Sequence, residues 1–185
     1  MAALQSLNLD GKEYNPVSMD LHHQISQHYF LEARMLQNRQ YREWLENLVA
    51  KDIHYWIPIF ENRYSKDKRP EPTPDDPAIY NDNYDELKQR VERLYTGQVW
   101  MEDPPSRIRY LITNVEAFQT ADNSDEFMVY CNFAIIRHRQ LLERTEHVGG
   151  REDRLRRTDD GFQLARRKIN MDARVTVDKN TYFFA

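Results

Sequence analysis

Between Phe127 and Ile136 apolar and polar positions alternate: Phe127, Val129, Cys131, Phe133 and Ile135 fall on one side, Tyr130 and Asn132 on the other. A period of two is the pattern of a strand with one face against a core, so this stretch predicts the central strand of a sheet. At about 1.5 to 3 kcal/mol per large apolar side chain, its inward row contributes on the order of 10 kcal/mol before chain entropy is subtracted. Four β segments are predicted in this half: Arg107 to Phe118, Glu126 to Arg139, Leu142 to Arg157 and Phe162 to Val177. The polar clusters Asp122 to Asp125 and Thr158 to Gly161 predict antiparallel pairing through hairpins. Gly149 and Gly150 interrupt the third segment and predict a bend or bulge.

Upstream the period lengthens. Leu21, Ile25, Tyr29, Ala33 and Leu36 recur every three or four residues and line one face of a helix running to about Asn38. Ser18 is placed to cap it, and Asp20 sits in the first turn, where the helix dipole favours an acid. Tyr41, Trp44, Leu45 and Leu48 predict a second, shorter helix ending near Ala50. From Asp52 to Phe60 the period returns to two, with Ile53, Tyr55, Ile57 and Ile59 on one face and His54, Trp56 and Phe60 on the other. Pro58 restricts that strand to an edge or a bulge. A third helix, capped by Asn81 or Asp82, carries Leu87, Val91, Leu94 and Tyr95 and stops at Gly97.

The remaining stretches are connectors. Asn62 to Asp76 is charged and followed or interrupted by Pro70, Pro72, Pro74 and Pro77, which predicts a long loop; a subunit contact is one job for a loop of that length. Residues 1–17 lack periodicity and predict an extended arm, leaving residues 18–185 as one domain. Helices first and a long sheet last predict an α+β fold, a cone in which a strongly curved, mostly antiparallel sheet wraps around the N-terminal helices.

Composition narrows the functional classes. With 185 residues, 40% of them hydrophobic, the chain can bury a substantial core, and no apolar run approaches the roughly 20 residues needed to span a bilayer. A soluble protein without a membrane partner is expected, and the N-terminus lacks the pattern of a signal peptide, pointing to the cytoplasm. The net charge of −4 argues against nucleic acid as a partner.

Candidate chemistry is sparse. Cys131 is the single cysteine and lies in the most apolar strand, as expected of a buried, inert thiol. One cysteine cannot supply the two thiolates of even a Rieske cluster. His22, His23 and His28 share a helix without the spacing of a metal motif, and the five glycines form no phosphate-cradling loop. No catalytic, metal or cofactor residue is therefore assigned. The enzymatic alternative is an acid–base site in the cone built from Asp52, His54, Tyr55 or Tyr110, as in a self-sufficient dehydratase or isomerase.

The basic stretch of Arg151, Arg154, Arg156, Arg157, Arg166, Arg167 and Lys168, with Glu152 and Asp153 embedded, suits ion pairing with protein. Aromatic residues near a chain end also need something to pack against. Arg151, Asp153, Arg154, Arg156, Arg157, Tyr182, Phe183 and Phe184 accordingly form the candidate subunit interface.

Four ordered stretches carry a resemblance. They are Glu32-Ala33-Arg34-Met35-Leu36 through Arg39, Tyr41, Trp44 and Leu45 to Asp52-Ile53-His54-Tyr55 and Pro58; Ser106 to Val115; Arg151 to Arg157; and Asn180 to Phe184. Together, over Leu21 to the C-terminus, they resemble the small (β) subunit of aromatic-ring-hydroxylating dioxygenases of the biphenyl, naphthalene or toluene type. The resemblance implies an NTF2-like cone fold and a noncatalytic, structural role. It also implies a larger α subunit bearing a Rieske 2Fe–2S cluster and mononuclear Fe(II), assembled with this chain as three α and three β subunits, the β chains forming a trimer. Such an enzyme takes electrons from NAD(P)H through a reductase and a ferredoxin and converts aromatic hydrocarbons to cis-dihydrodiols.

Overall fold

The computed structural model of the chain describes residues 7–9, 12–61, 63–99, 102–120, 125–173 and 184–185, with side chains from residue 14 onward. Its elements run β1 (Leu7–Leu9), β2 (Lys12–Tyr14), α1 (Met19–Gln37), α2 (Tyr41–Asn47), β3 (Val49–Pro58), β4 (Ala78–Asp82), α3 (Tyr84–Leu94), β5 (Arg107–Gln119), β6 (Glu126–Arg139), β7 (Glu143–Thr158) and β8 (Gly161–Met171). Strands β3 to β8 form one six-stranded sheet in the order β4-β3-β8-β7-β6-β5. Only the β3–β8 pair is parallel. The sheet curves without closing and its inner face holds the helices, the α+β cone anticipated from the order of periodicities and the NTF2-like fold that the resemblance implies.

Helix α1 follows its sequence signals closely. Ser18 caps it, accepting the Leu21 N–H at 3.3 Å, and Asp20 occupies the first turn. Ile25, Tyr29, Ala33 and Leu36 are buried as the spacing requires, but Ser26, His28 and Glu32 are buried with them. Helix α2 ends at Asn47 rather than near Ala50, because Val49 and Ala50 already belong to β3. Helix α3 is capped by Asn83, which lies one or two residues beyond the expected position. Its side chain accepts the Asp85 and Glu86 N–H groups while Glu86 reaches back to the Asn83 N–H at 2.8 Å, a complete capping box.

Strand β6 buries Phe127, Val129, Cys131, Phe133 and Ile135, as its alternation demands. It lies next to the edge rather than at the centre, which β8 and β7 occupy. Gly149 and Gly150 produce no bulge against β6, where the register is continuous from Glu126 to Glu143. The irregularity of β7 lies instead between Arg154 and Leu155, against β8. Gly149 serves a close approach: a Cβ there would sit 2.2 Å from the Asn170 carbonyl oxygen. At Pro58 the register of β3 against β4 does shift, which places the missing proline N–H at an irregularity.

Two stretches acquire structure that periodicity did not reveal. Residues Lys12–Tyr14 pair with Leu7–Leu9, and the chain then joins β5, with the Val17 N–H on the Ala117 carbonyl and the Gln119 N–H on that of Asn15. The proline-rich connector ends in β4, which pairs antiparallel with β3 at the far edge. At the opposite edge, α1 covers part of β5: Gln37 Oε1 accepts the Tyr110 N–H at 3.2 Å, and His22 Nε2 lies 2.8 Å from the Val115 carbonyl oxygen. Covering an edge in this way removes a template for unwanted strand pairing.

Candidate functional site

The interior of the sheet holds a cluster of charges. Asp153 on β7 and Arg167 on β8 are register partners, and Glu32 projects from α1 toward both. Arg167 donates to both carboxylates: Nε and Nη2 reach Asp153 at 3.0 and 2.7 Å, and Nη1 and Nη2 reach Glu32 at 2.9 and 3.0 Å. Arg151 adds a 3.3 Å contact from Nη1 to Glu32, and its guanidinium carbon lies 5.2 Å from the centroid of the Phe133 ring. Two guanidiniums thus face two carboxylates, and all four side chains are shut away from solvent. Neutral donors add to the shell, the Tyr29 hydroxyl to Asp153 at 2.7 Å and the Trp44 indole to Glu32 at 3.0 Å, while Nε and Nη2 of Arg151 find no hydrogen-bond partner among the described residues.

Such a cluster is not an inexpensive stabiliser, because taking four charges out of water costs several kcal/mol per ion before pairing returns it. Its hydrogen bonding is what makes it viable. Burial pushes the Glu32 carboxyl up, but Arg167 and Arg151 more than offset that and hold it at about 2. Burial and the neighbouring Asp153 push the Tyr29 hydroxyl well above its ordinary value. Burial likewise lowers His28, which packs edge-on to Tyr29 and Phe162. Glu32 stays charged, Tyr29 stays protonated and His28 stays neutral near pH 7.

Aromatic side chains pack beside the cluster. Phe184 stacks at 4.9 Å from the Trp44 ring centre and 5.7 Å from that of Tyr41. Ala185 lies beside it, its oxygen accepting from the Tyr55 hydroxyl and, at 3.3 Å, from Arg167. The charges are therefore sealed by the chain itself.

The four residues of the acid–base alternative do not converge. Asp52 lies on the outer surface in a two-point ion pair with Arg156, both contacts 2.9 Å, which lowers its carboxyl. His54, also outward, meets Asn81 Oδ1 at 2.8 Å, whereas Tyr55 and Tyr110 are buried inside. None of the four lines the clefts described beside Tyr41, beside Phe30 or beside Ile59. Among the described residues no three His, Cys, Asp or Glu side chains come together as a metal site. Cys131 is buried, and desolvation pushes its thiol up to about 12, the state expected of an inert core cysteine.

The candidate interface residues are split by the alternation of β7. Arg151 and Asp153 belong to the interior cluster, and Phe184 packs in the core. Arg154 and Arg156 point the other way and meet Glu126 at 3.4 and 2.9 Å. Arg157 is exposed, its guanidinium carbon 5.3 Å from the centre of the Phe127 ring at the mouth of the core. Tyr182 and Phe183 lie outside the described residues. Glu32, Tyr29, Trp44 and Arg167, central to the cluster, were absent from the sequence-derived set.

The family described as the ring hydroxylating beta subunit matches residues 31–178, most of the chain. The chain belongs to this family. Among solved structures, this β subunit superposes on a chain of naphthalene 1,2-dioxygenase with indole bound in the active site. That match has a TM-score of 0.85 and 26% identity, and covers 92% of this chain and 89% of the other. The β subunit of a benzoate 1,2-dioxygenase from Burkholderia mallei shares the fold at TM-score 0.67 and 19% identity, covering 86% and 95% of the two chains. The fold extends to ActVI-ORFA of Streptomyces coelicolor, at TM-score 0.59 and 13% identity over 84% and 97%. The β subunit is thus one component of an oxidoreductase, in which it has a structural rather than a catalytic part.

Proposed function

We propose that this β subunit is the scaffold of a terminal oxygenase in which three copies join three larger α subunits. The α subunits carry the Rieske 2Fe–2S cluster and the mononuclear Fe(II), and the holoenzyme converts aromatic hydrocarbons to cis-dihydrodiols. A ferredoxin and a reductase deliver the electrons, and the assembly works in the cytoplasm. The observation that carries this reading is the family match across residues 31–178. The chemistry of the donors is consistent with it. A Rieske cluster takes two thiolates and two imidazoles, whereas this chain offers one cysteine, buried and raised in pKa.

Within that assembly, Arg154, Arg156 and Arg157, on the outward or exposed part of β7, are offered as subunit contacts together with Tyr182 and Phe183. Their partner surface would be acidic, because among the described residues the Arg157 guanidinium meets the faces of Phe127 and Phe162. No described helix is long and apolar enough to cross a membrane.

Native mass and iron content test the proposal, measured on the chain expressed alone and with the larger subunit from its source cell. Equal numbers of the two chains, three of each, with iron only in the mixed complex, is the expected result. An iron-free chain that never associates with a larger one would overturn it.

A further inference from the structure

Phe184 and Ala185 lie in the interior much as a bound molecule would. The Phe184 ring occupies a slot beside Trp44 and Tyr41, 4.9 and 5.7 Å between ring centres, and is 3% exposed. One residue on, the Ala185 main-chain oxygen accepts from the Tyr55 hydroxyl and, at 3.3 Å, from Nη1 of Arg167. An aromatic slot and, a short linker away, an oxygen held by a hydroxyl and a guanidinium are the two elements that recognise an aromatic acid.

The donors around that oxygen outnumber what it can accept. A carbonyl oxygen has two lone pairs, and Tyr55 and Arg167 take both. Arg151 is left over: it is 2% exposed, it makes one 3.3 Å contact to Glu32, and its Nε and Nη2 have no hydrogen-bond partner among the described residues. Its charge acts on the same place, because it pulls down the hydroxyls of both Tyr55 and Tyr110 against the burial that pushes them up. The Tyr110 hydroxyl feels the Phe184 main-chain N–H but closes no full hydrogen bond. Buried donors of this kind call for an acceptor, and a carboxylate supplies the second oxygen that a carbonyl lacks.

We infer that the inside of the cone is a binding site for a small aromatic acid, a ring joined by a short amide-containing linker to a carboxylate, and that residues 184 and 185 occupy it as an intramolecular stand-in. The ring takes the slot beside Trp44 and Tyr41, one carboxylate oxygen takes the place of the Ala185 oxygen, and the other meets Arg151. Binding displaces the two residues. The site belongs to this chain alone and does not depend on the assembly proposed above.

The probe is N-(3-phenylpropanoyl)glycine, which reproduces the Phe184 ring and the amide after it and sets a carboxylate at the Ala185 position. N-(3-phenylpropanoyl)glycinamide keeps the ring and linker without the charge. Both are titrated into the full chain, as wild type and as Phe184→Gly, while the Trp44 indole N–H resonance is followed. The acid should bind Phe184→Gly about tenfold or more tightly than wild type, whose own Phe184 competes for the slot, and about tenfold or more tightly than the amide does. Adding Tyr55→Phe should weaken both probes. Phe184→Leu replaces Phe184→Gly if that variant does not fold, and acid over amide is the expected order in every form, wild type included. Equal affinity for acid and amide would leave an apolar hole without a carboxylate site and overturn the inference. So would binding that Tyr55→Phe leaves unchanged, or the lack of a saturable shift in every form, which would make Phe184 and Ala185 ordinary core packing.

Discussion

Asp153 and Arg167 stand directly opposite each other on β7 and β8 and meet through two nitrogens of one guanidinium, with the shortest contact 2.7 Å. The same guanidinium crosses to Glu32 on α1, so one side chain ties the two central strands to the longest helix. In a curved sheet whose inner surface is mostly apolar, this bond network specifies how the helix lies on the strands. An all-apolar interface could slide, but a misplaced helix would strand a charge.

Removing one member should therefore cost more than its contacts suggest. Arg167→Met leaves Glu32 with the longer Arg151 contact as its one cation beside the Trp44 indole and deprives Asp153 of its cation, and breaking a buried pair in this way costs about 3 to 5 kcal/mol. Urea unfolding of the purified chain should show the midpoint falling accordingly. A loss below about 1 kcal/mol would mean that the cluster relaxes or admits water.

Acid should destabilise the fold in two windows. Unfolded His28 titrates near 6.5, whereas burial, offset in part by Glu32, lowers it in the folded chain. The unfolded state then binds the extra proton, so this contribution is complete above pH 6.5 and is lost as pH falls through the lowered folded value. Glu32 repeats the pattern lower down, full above its ordinary 4.5 and lost toward about 2, a shift on the order of 3 kcal/mol. Stability measured against pH should fall below 6.5 in the wild type, and His28→Gln should flatten that first descent while leaving the second.

The two glycines of β7 should behave oppositely. Gly149→Ala would drive a methyl into the Asn170 backbone at 2.2 Å, and forced shifts of that kind cost about 1 to 3 kcal/mol. The nearest atoms to a Cβ at Gly150 are 3.8 and 3.9 Å away, ordinary contact distances. Thermal unfolding should therefore show a clear drop for Gly149→Ala and little change for Gly150→Ala. Equal effects would place the requirement in strand propensity instead of the β7–β8 approach.

These residues also mark where the sequence was legible. The alternation of β6 and the cap, stripe and length of α1 appear because each answers to a local period, and the curved sheet follows from them. The charge cluster is encoded less openly. Glu32 lies on the same helical stripe as Tyr29 and Leu36, and Arg151 and Asp153 share the inward phase of Leu155. A charge at core phase on two predicted elements is a signal for a buried pair, but a basic run reads first as a surface. Strand β4 and the arm at Asn15–Val17 depend on distant partners, and no local period announces them.

Arg156 and Arg157 give the sharpest test of the proposed subunit contact. Arg156 is bound within its own chain to Asp52 and Glu126, and exposed ion pairs of this type contribute about 0 to 1 kcal/mol to folding. Arg156→Glu with Arg157→Glu should accordingly leave the chain folded while reducing the mass of the assembled complex and its activity. Reversal at residue 156 also sets an acid beside Asp52 and Glu126, so a local disturbance must be separated from a lost contact. Adding Asp52→Arg restores an intrachain pair of opposite polarity. If native mass returns with it, Arg156 acts by holding its own β strands together; if the complex stays broken while the chain is folded, the missing partner of these arginines lies on another subunit.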